Sequence, residues 1–89
     1  MNSILIMLRP FSLKQNVSVI KDNQQIYQEK VGSNVLNSTV LTLANQYGID
    51  HVILSGPYSY AEGYKNGMES LSISKYEKKI NVEILSKRR

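Results

Sequence analysis

Residues 3 to 8, SILIML, are continuously apolar and stop at Arg9-Pro10, a pattern that predicts a strand covered on both faces and central in its sheet. The following stretch, NVSVIKDNQQIYQEKV, divides into two strands, 16 to 21 and 24 to 31. Their junction is Asp22-Asn23, a pair that tolerates the positive φ of a type I′ turn, so the two strands are expected to form a hairpin. After Gly32 the period changes. Leu36, Val40, Leu43 and Tyr47 fall three and four residues apart, which predicts a helix capped by Ser33 and ended by Gly48 in the left-handed position.

The segment HVILS, 51 to 55, follows as a short apolar strand, and then the chain breaks at Gly56-Pro57. Ser59 and Glu62 match the S-x-x-E capping box, placing the start of a second helix near Tyr60 with Tyr60, Tyr64, Met68 and Leu71 inward. Last, KINVEIL alternates Ile80, Val82 and Ile84 against Asn81 and Glu83, the pattern of a strand with one wet face. The expected order is β-β-β-α-β-α-β: an α/β fold in which a mixed, five-stranded sheet is packed by helices.

That order resembles the ribonuclease H-like fold, and residues 16 to 86 are similar in topology to the ribosomal small-subunit protein eleven family. The likeness extends to the strand-turn-strand VSVIKDNQQIY, the helix ending in YGI, the strand HVILSG and the Gly-Pro turn after it. Ribonuclease H-like nucleases carry metal-binding carboxylates on the first strand, because phosphoryl transfer needs both reacting oxygens neutralised. Here ILIML has none, residues 33 to 47 have none, and Asp22, Glu29 and Asp50 come from separate ends of the elements. The resemblance therefore implies a non-catalytic relative. In the ribosomal family the turn corresponding to Gly56-Pro57 is richer in glycine and is followed by basic residues that touch RNA; only Gly56 and Pro57 match it here.

Other chemistry is thinly represented. His51 follows Asp50, but adjacent strand residues point to opposite faces, so they make no base-orienter pair. Ser55 lacks a G-x-S-x-G elbow, and neither G-x-G-x-x-G nor a Walker sequence is present. With no cysteine there is no disulfide and no thiolate site, and no cofactor is expected. At the Gly56-Pro57 turn, Pro57 has no amide to offer an anion and Glu62 would repel one, so a structural corner is the favoured reading.

Eighty-nine residues make one domain, here 1 to 86, with a basic tail at 87 to 89. The 42% apolar and 20% charged composition is that of a globular domain, and no run approaches the roughly 20 residues needed to span a bilayer. A cytoplasmic protein without membrane partners is expected, or one acting in a host cytoplasm if phage-encoded, a source in keeping with the abundance of Asn, Lys, Ile and Tyr.

The formal net charge is +4 and it is unevenly distributed. Lys75, Lys78, Lys79, Lys87, Arg88 and Arg89 face only Glu77 and Glu83, an excess of four, while five basic and five acidic residues cancel over the remainder. That segment is the candidate nucleic-acid or ribonucleoprotein surface. A second candidate, for a protein partner or a homodimer, is the face containing Tyr58, Tyr60, Gly63, Tyr64 and Gly67. Each helical glycine costs about 1 kcal/mol relative to alanine, and with Ser59 and Ser70 the two form a small-residue stripe suited to close packing on the sheet or on another chain.

Overall fold

A computed structural model describes residues 2 to 86. It contains β1 (Ser3–Met7), β2 (Lys14–Lys21), β3 (Gln24–Gly32), a short 3-10 turn (Ser33–Val35), α1 (Leu36–Tyr47), β4 (His51–Ser55), α2 (Tyr58–Tyr76) and β5 (Asn81–Leu85). The element order and the mixed α/β class are those expected. The sheet runs β3-β2-β1-β4-β5, with β1 central, antiparallel to β2 and parallel to β4. β5 extends the parallel side.

The hairpin joins β2 and β3 through Asp22 (φ 53°) and Asn23 (φ 64°), both left-handed, as a type I′ turn requires. Helix α1 ends at Gly48, whose φ of 66° lets its amide reach back to the Ala44 carbonyl. At their N-termini both helices depart from expectation. Ser33 does not cap α1; its hydroxyl is used by the β1–β2 loop, and the chain makes a 3-10 turn before α1 begins at Leu36. Ser59 and Glu62 form no capping box either. Pro57, extended at φ −60° and ψ 134°, precedes the first turn, so α2 starts at Tyr58 and Ser59 already lies inside it.

The expectation that β1 is covered on both faces is corrected. Both helices lie against the same face of the sheet and touch each other. The reason is topological: β3 to β4 and β4 to β5 are parallel crossovers that advance in one direction across the sheet, and right-handed connections then put both helices on one side. Ile4, Ile6, Val17, Val19, Val52 and Leu54, all fully buried, meet Leu36, Val40, Ala61 and Met68 from the helices. In the paired register the opposite face carries Leu5, Met7, Ile53 and Leu85 between Asn16, Ser18, Gln28, Lys30, Ser55 and Glu83. It is an uncovered sheet face, with Met7 and Leu85 each nearly half exposed.

Candidate functional site

The parallel strands β1, β4 and β5 finish at one end of the sheet, where β2 begins and β3 ends; Met7 aligns with Asn16 and Ser55, Asn16 with Lys30, and Ser55 with Leu85. At this end the β1–β2 loop stands out from the body. Gln15, only 1% exposed, holds it from beneath. Its carbonyl oxygen accepts the Arg9 amide at 2.7 Å, and its amide nitrogen donates to the Arg9 carbonyl at 3.1 Å and to the Ser33 hydroxyl at 2.9 Å. The Ser33 hydroxyl donates onward to the Ser12 carbonyl at 2.9 Å, and the Ser33 amide to the Leu13 carbonyl at 2.8 Å. Gln15 thus serves the loop as a missing strand would, satisfying both backbone groups of Arg9. Above this network Phe11 is fully exposed and Leu13 is 88% exposed. Arg9, Lys14 and Lys30 surround them, and with Phe11, Ser12, Leu13 and Asn16 they line an open recess of about 590 Å³.

The Gly56-Pro57 turn lies at the same end and is a packed corner. A Cβ at Gly56 would stand 2.9 Å from that of Leu8, so only glycine fits. The Gly56 amide donates to the Leu85 carbonyl at 3.1 Å, which commits the one amide of this dipeptide to the sheet.

At the other end of the sheet, Lys75, Lys78 and Lys79 are exposed around the turn between α2 and β5. The helix closes there through Glu77 in the left-handed conformation (φ 52°), and the Ser72 hydroxyl donates to the Lys78 carbonyl. Lys75 Nζ sits 5.7 Å from the Tyr76 ring centre. β5 then carries the chain away from these lysines, and Lys87, Arg88 and Arg89 lie outside the described residues.

Along α2, Tyr60 and Tyr64 form an edge-to-face pair 5.4 Å apart, half buried against the core, whereas Tyr58 is 54% exposed. The hydrogen bond to Tyr64, followed by burial, raises the Tyr60 phenol above its ordinary value. The two glycines separate. A side chain at Gly67 would collide with the Asn37 amide of α1, while one at Gly63 would meet open space. The close approach lies between the two helices, at Gly67 alone, and not between helix and sheet as the small-residue stripe suggested.

His51 donates to or accepts from no aspartate; its Nε2 lies 3.1 Å from Glu83 Oε1 on the neighbouring strand. Among the described residues, no group of three or more His, Asp or Glu side chains is arranged to hold a metal, and no helix is long and apolar enough to cross a membrane.

The features at the β1–β2 end lay beyond the reach of sequence patterning because Arg9, Lys14 and Lys30 belong to the part of the chain whose charges cancel. One local signal was present: Pro10 at the second position of a turn followed by two bulky apolar residues, Phe11 and Leu13, outside any periodic run.

No protein-family model matches the chain, and no curated protein matches it. Among solved structures it is similar to Pelota from Archaeoglobus fulgidus, whose crystal structure is described as revealing inter-domain structural plasticity, with a TM-score of 0.54 at 13% identity. The match covers 97% of this chain and 26% of that one, so the chain corresponds to about a quarter of the relative's length. At this identity the likeness is one of fold: a mixed α/β domain of the kind that also occurs as part of a larger protein.

Proposed function

We propose that the chain is a non-catalytic binding and assembly module of ribonuclease H-like topology, attaching to nucleic acid or a ribonucleoprotein through its basic C-terminal segment. The observation that carries this reading is that Lys75, Lys78 and Lys79 stand exposed around one turn outside both ion pairs of the described residues, Lys65 with Glu69 and His51 with Glu83. Unpaired lysines on a surface with a local charge excess attract phosphates and release counterions on binding. Replacing Lys78, Lys79, Lys87, Arg88 and Arg89 by Gln is expected to weaken binding to RNA and flatten its salt dependence. Binding unchanged in affinity and salt slope would overturn the proposal.

A second reading, a protein contact through Tyr58, Tyr60, Gly63, Tyr64 and Gly67, is favoured by one observation: Gly63 opens to solvent on the helix that begins with the half-exposed Tyr58. Its test is Gly63→Leu, which has room in the monomer. Loss of self-association with the fold retained would support a homodimer on this face, and unaltered association would remove it.

A further inference from the structure

We propose that the β1–β2 loop is the stacking tip of a single-stranded nucleic-acid site, with bases packing on Phe11 and phosphates lying against Arg9, Lys14 and Lys30. The inference deepens the nucleic-acid reading above and rests on it, adding to the attraction of the C-terminal lysines a stacking contact at the opposite end of the sheet.

Phe11 has no structural reason to be where it is. Arg9, Pro10, Phe11 and Ser12 form a turn closed by the Ser12 amide on the Arg9 carbonyl at 3.2 Å, with Pro10 second and Phe11 third at φ 69°. That third position calls for glycine or asparagine, because a Cβ is disfavoured in the left-handed region. The ring gains nothing in return, since it is fully exposed. A residue unfavourable in its backbone and unburied in its side chain, on a turn whose first residue is anchored by a buried glutamine, is the arrangement expected of a preorganised contact.

The surroundings select the partner. The recess of about 590 Å³ beneath Phe11 is lined by Arg9, Lys14 and Lys30 with Asn16 and Ser12, and no carboxylate contributes to its wall. Its volume falls within the roughly 300–1,000 Å³ typical of small-ligand sites. Shallower recesses flank it along the same end of the sheet: one shares Asn16 and Lys30 and adds Gln28 and Glu29, the other is formed by Met7, Leu8, Ser55, Gly56 and Pro57. Cations around an exposed aromatic suit a flexible polyanion with free base faces, which stack on aromatic rings without sequence preference. A duplex keeps its base faces stacked internally and cannot use Phe11 in this way.

The test is fluorescence anisotropy with a labelled oligouridine of about twelve nucleotides, and a duplex of equal length, over a salt series. Phe11→Ala should weaken oligouridine binding about tenfold while leaving the salt slope and the duplex unaffected, and Phe11→Trp should restore it. Replacing Arg9, Lys14 and Lys30 together by Gln should reduce the log-log salt slope by about 2. Circular dichroism melts of each variant should match the original, since these side chains are on the surface. If the original chain binds oligouridine and these variants bind it equally well, while Lys75, Lys78 and Lys79 to Gln lose it, the tip proposal falls and the C-terminal one stands. No binding of oligouridine by the original chain at low salt overturns the tip proposal, and no binding of either oligouridine or the duplex overturns the nucleic-acid reading on which it rests. Self-association in the absence of oligonucleotide that Phe11→Ala abolishes would overturn the nucleic-acid assignment in favour of a protein contact.

Discussion

The two ends of the sheet are both basic and are built differently. At the α2–β5 turn, Lys75, Lys78 and Lys79 come from one short stretch and project separately into solvent. At the β1–β2 end, Arg9 and Lys14 flank one loop and Lys30 joins them through the β2–β3 pairing, around a recess that Phe11 also lines, and a buried glutamine anchors that loop at Arg9. The ends are separated by the length of β5, roughly 15 Å of strand. Local charge runs give a surface that attracts polyanions; a fold that gathers dispersed charges around a shaped, rigid element gives one that can also orient them. The uncovered sheet face lies between the two ends and is largely neutral, with Lys30 on one edge strand and Glu83, paired with His51, on the other.

The largest expected effect sharpens this contrast. Gln15→Ala should cost about 3 kcal/mol of stability, because it leaves the Arg9 amide and carbonyl and the Ser33 hydroxyl without their buried partner. Chemical denaturation measures it, and the same variant should weaken binding at the tip by freeing the loop. A cost below that of an ordinary surface substitution would show that the loop is not held from beneath.

Next are the two glycines of α2, where one substitution has unequal effects. Gly67→Leu should be less favourable than Gly63→Leu by about 1 kcal/mol, since its side chain must first swing the Asn37 amide aside. Gly63→Leu should be neutral or stabilising by up to about 1 kcal/mol, because the site is open and leucine is the better helix former. Equal effects at both would contradict the placement of α1 against α2.

Phe11→Gly should raise stability by about 1 kcal/mol while reducing binding, since glycine accepts φ 69° at no steric cost. A loss of stability would mean that the ring contributes to the fold after all.

The smallest effect is on pH dependence. The Tyr60 phenol is raised above 10.0 by its hydrogen bond with Tyr64 and then by burial, so the fold favours its neutral form. Its contribution is complete below that value and declines as pH rises through the elevated one. Tyr60→Phe should therefore flatten the alkaline side of the stability profile, read from denaturation midpoints between neutral pH and pH above 10.0.

How much of this was legible in the sequence depended on the range of the interaction that decided it. The hairpin was readable because Asp22 and Asn23 determine their own turn, and the end of α1 because Gly48 supplies its own left-handed φ. The helix starts were misjudged because Ser33 has a competing use eighteen residues away in sequence, at Gln15. The continuous apolar run of β1 suggested two covered faces; its alternate members Leu5 and Met7 instead occupy a face that the crossover geometry leaves bare. Gly63 and Gly67 look equivalent in sequence, and only the position of Asn37 distinguishes them. For the candidate sites the same holds: Lys75, Lys78 and Lys79 lie in one short stretch of sequence, whereas Lys30 joins Arg9 and Lys14 only through the β2–β3 register.

The central claim is that the β1–β2 end, more than the α2–β5 turn, is where a single strand is held. Its most direct test is a ¹⁵N-resolved NMR titration of the full chain with oligouridine. The account predicts the largest amide shifts at Phe11, Ser12, Lys14, Asn16 and Lys30, with smaller, salt-sensitive shifts around Lys75, Lys78 and Lys79. Shifts confined to that second group, with Phe11 and its neighbours unmoved at saturation, would contradict it.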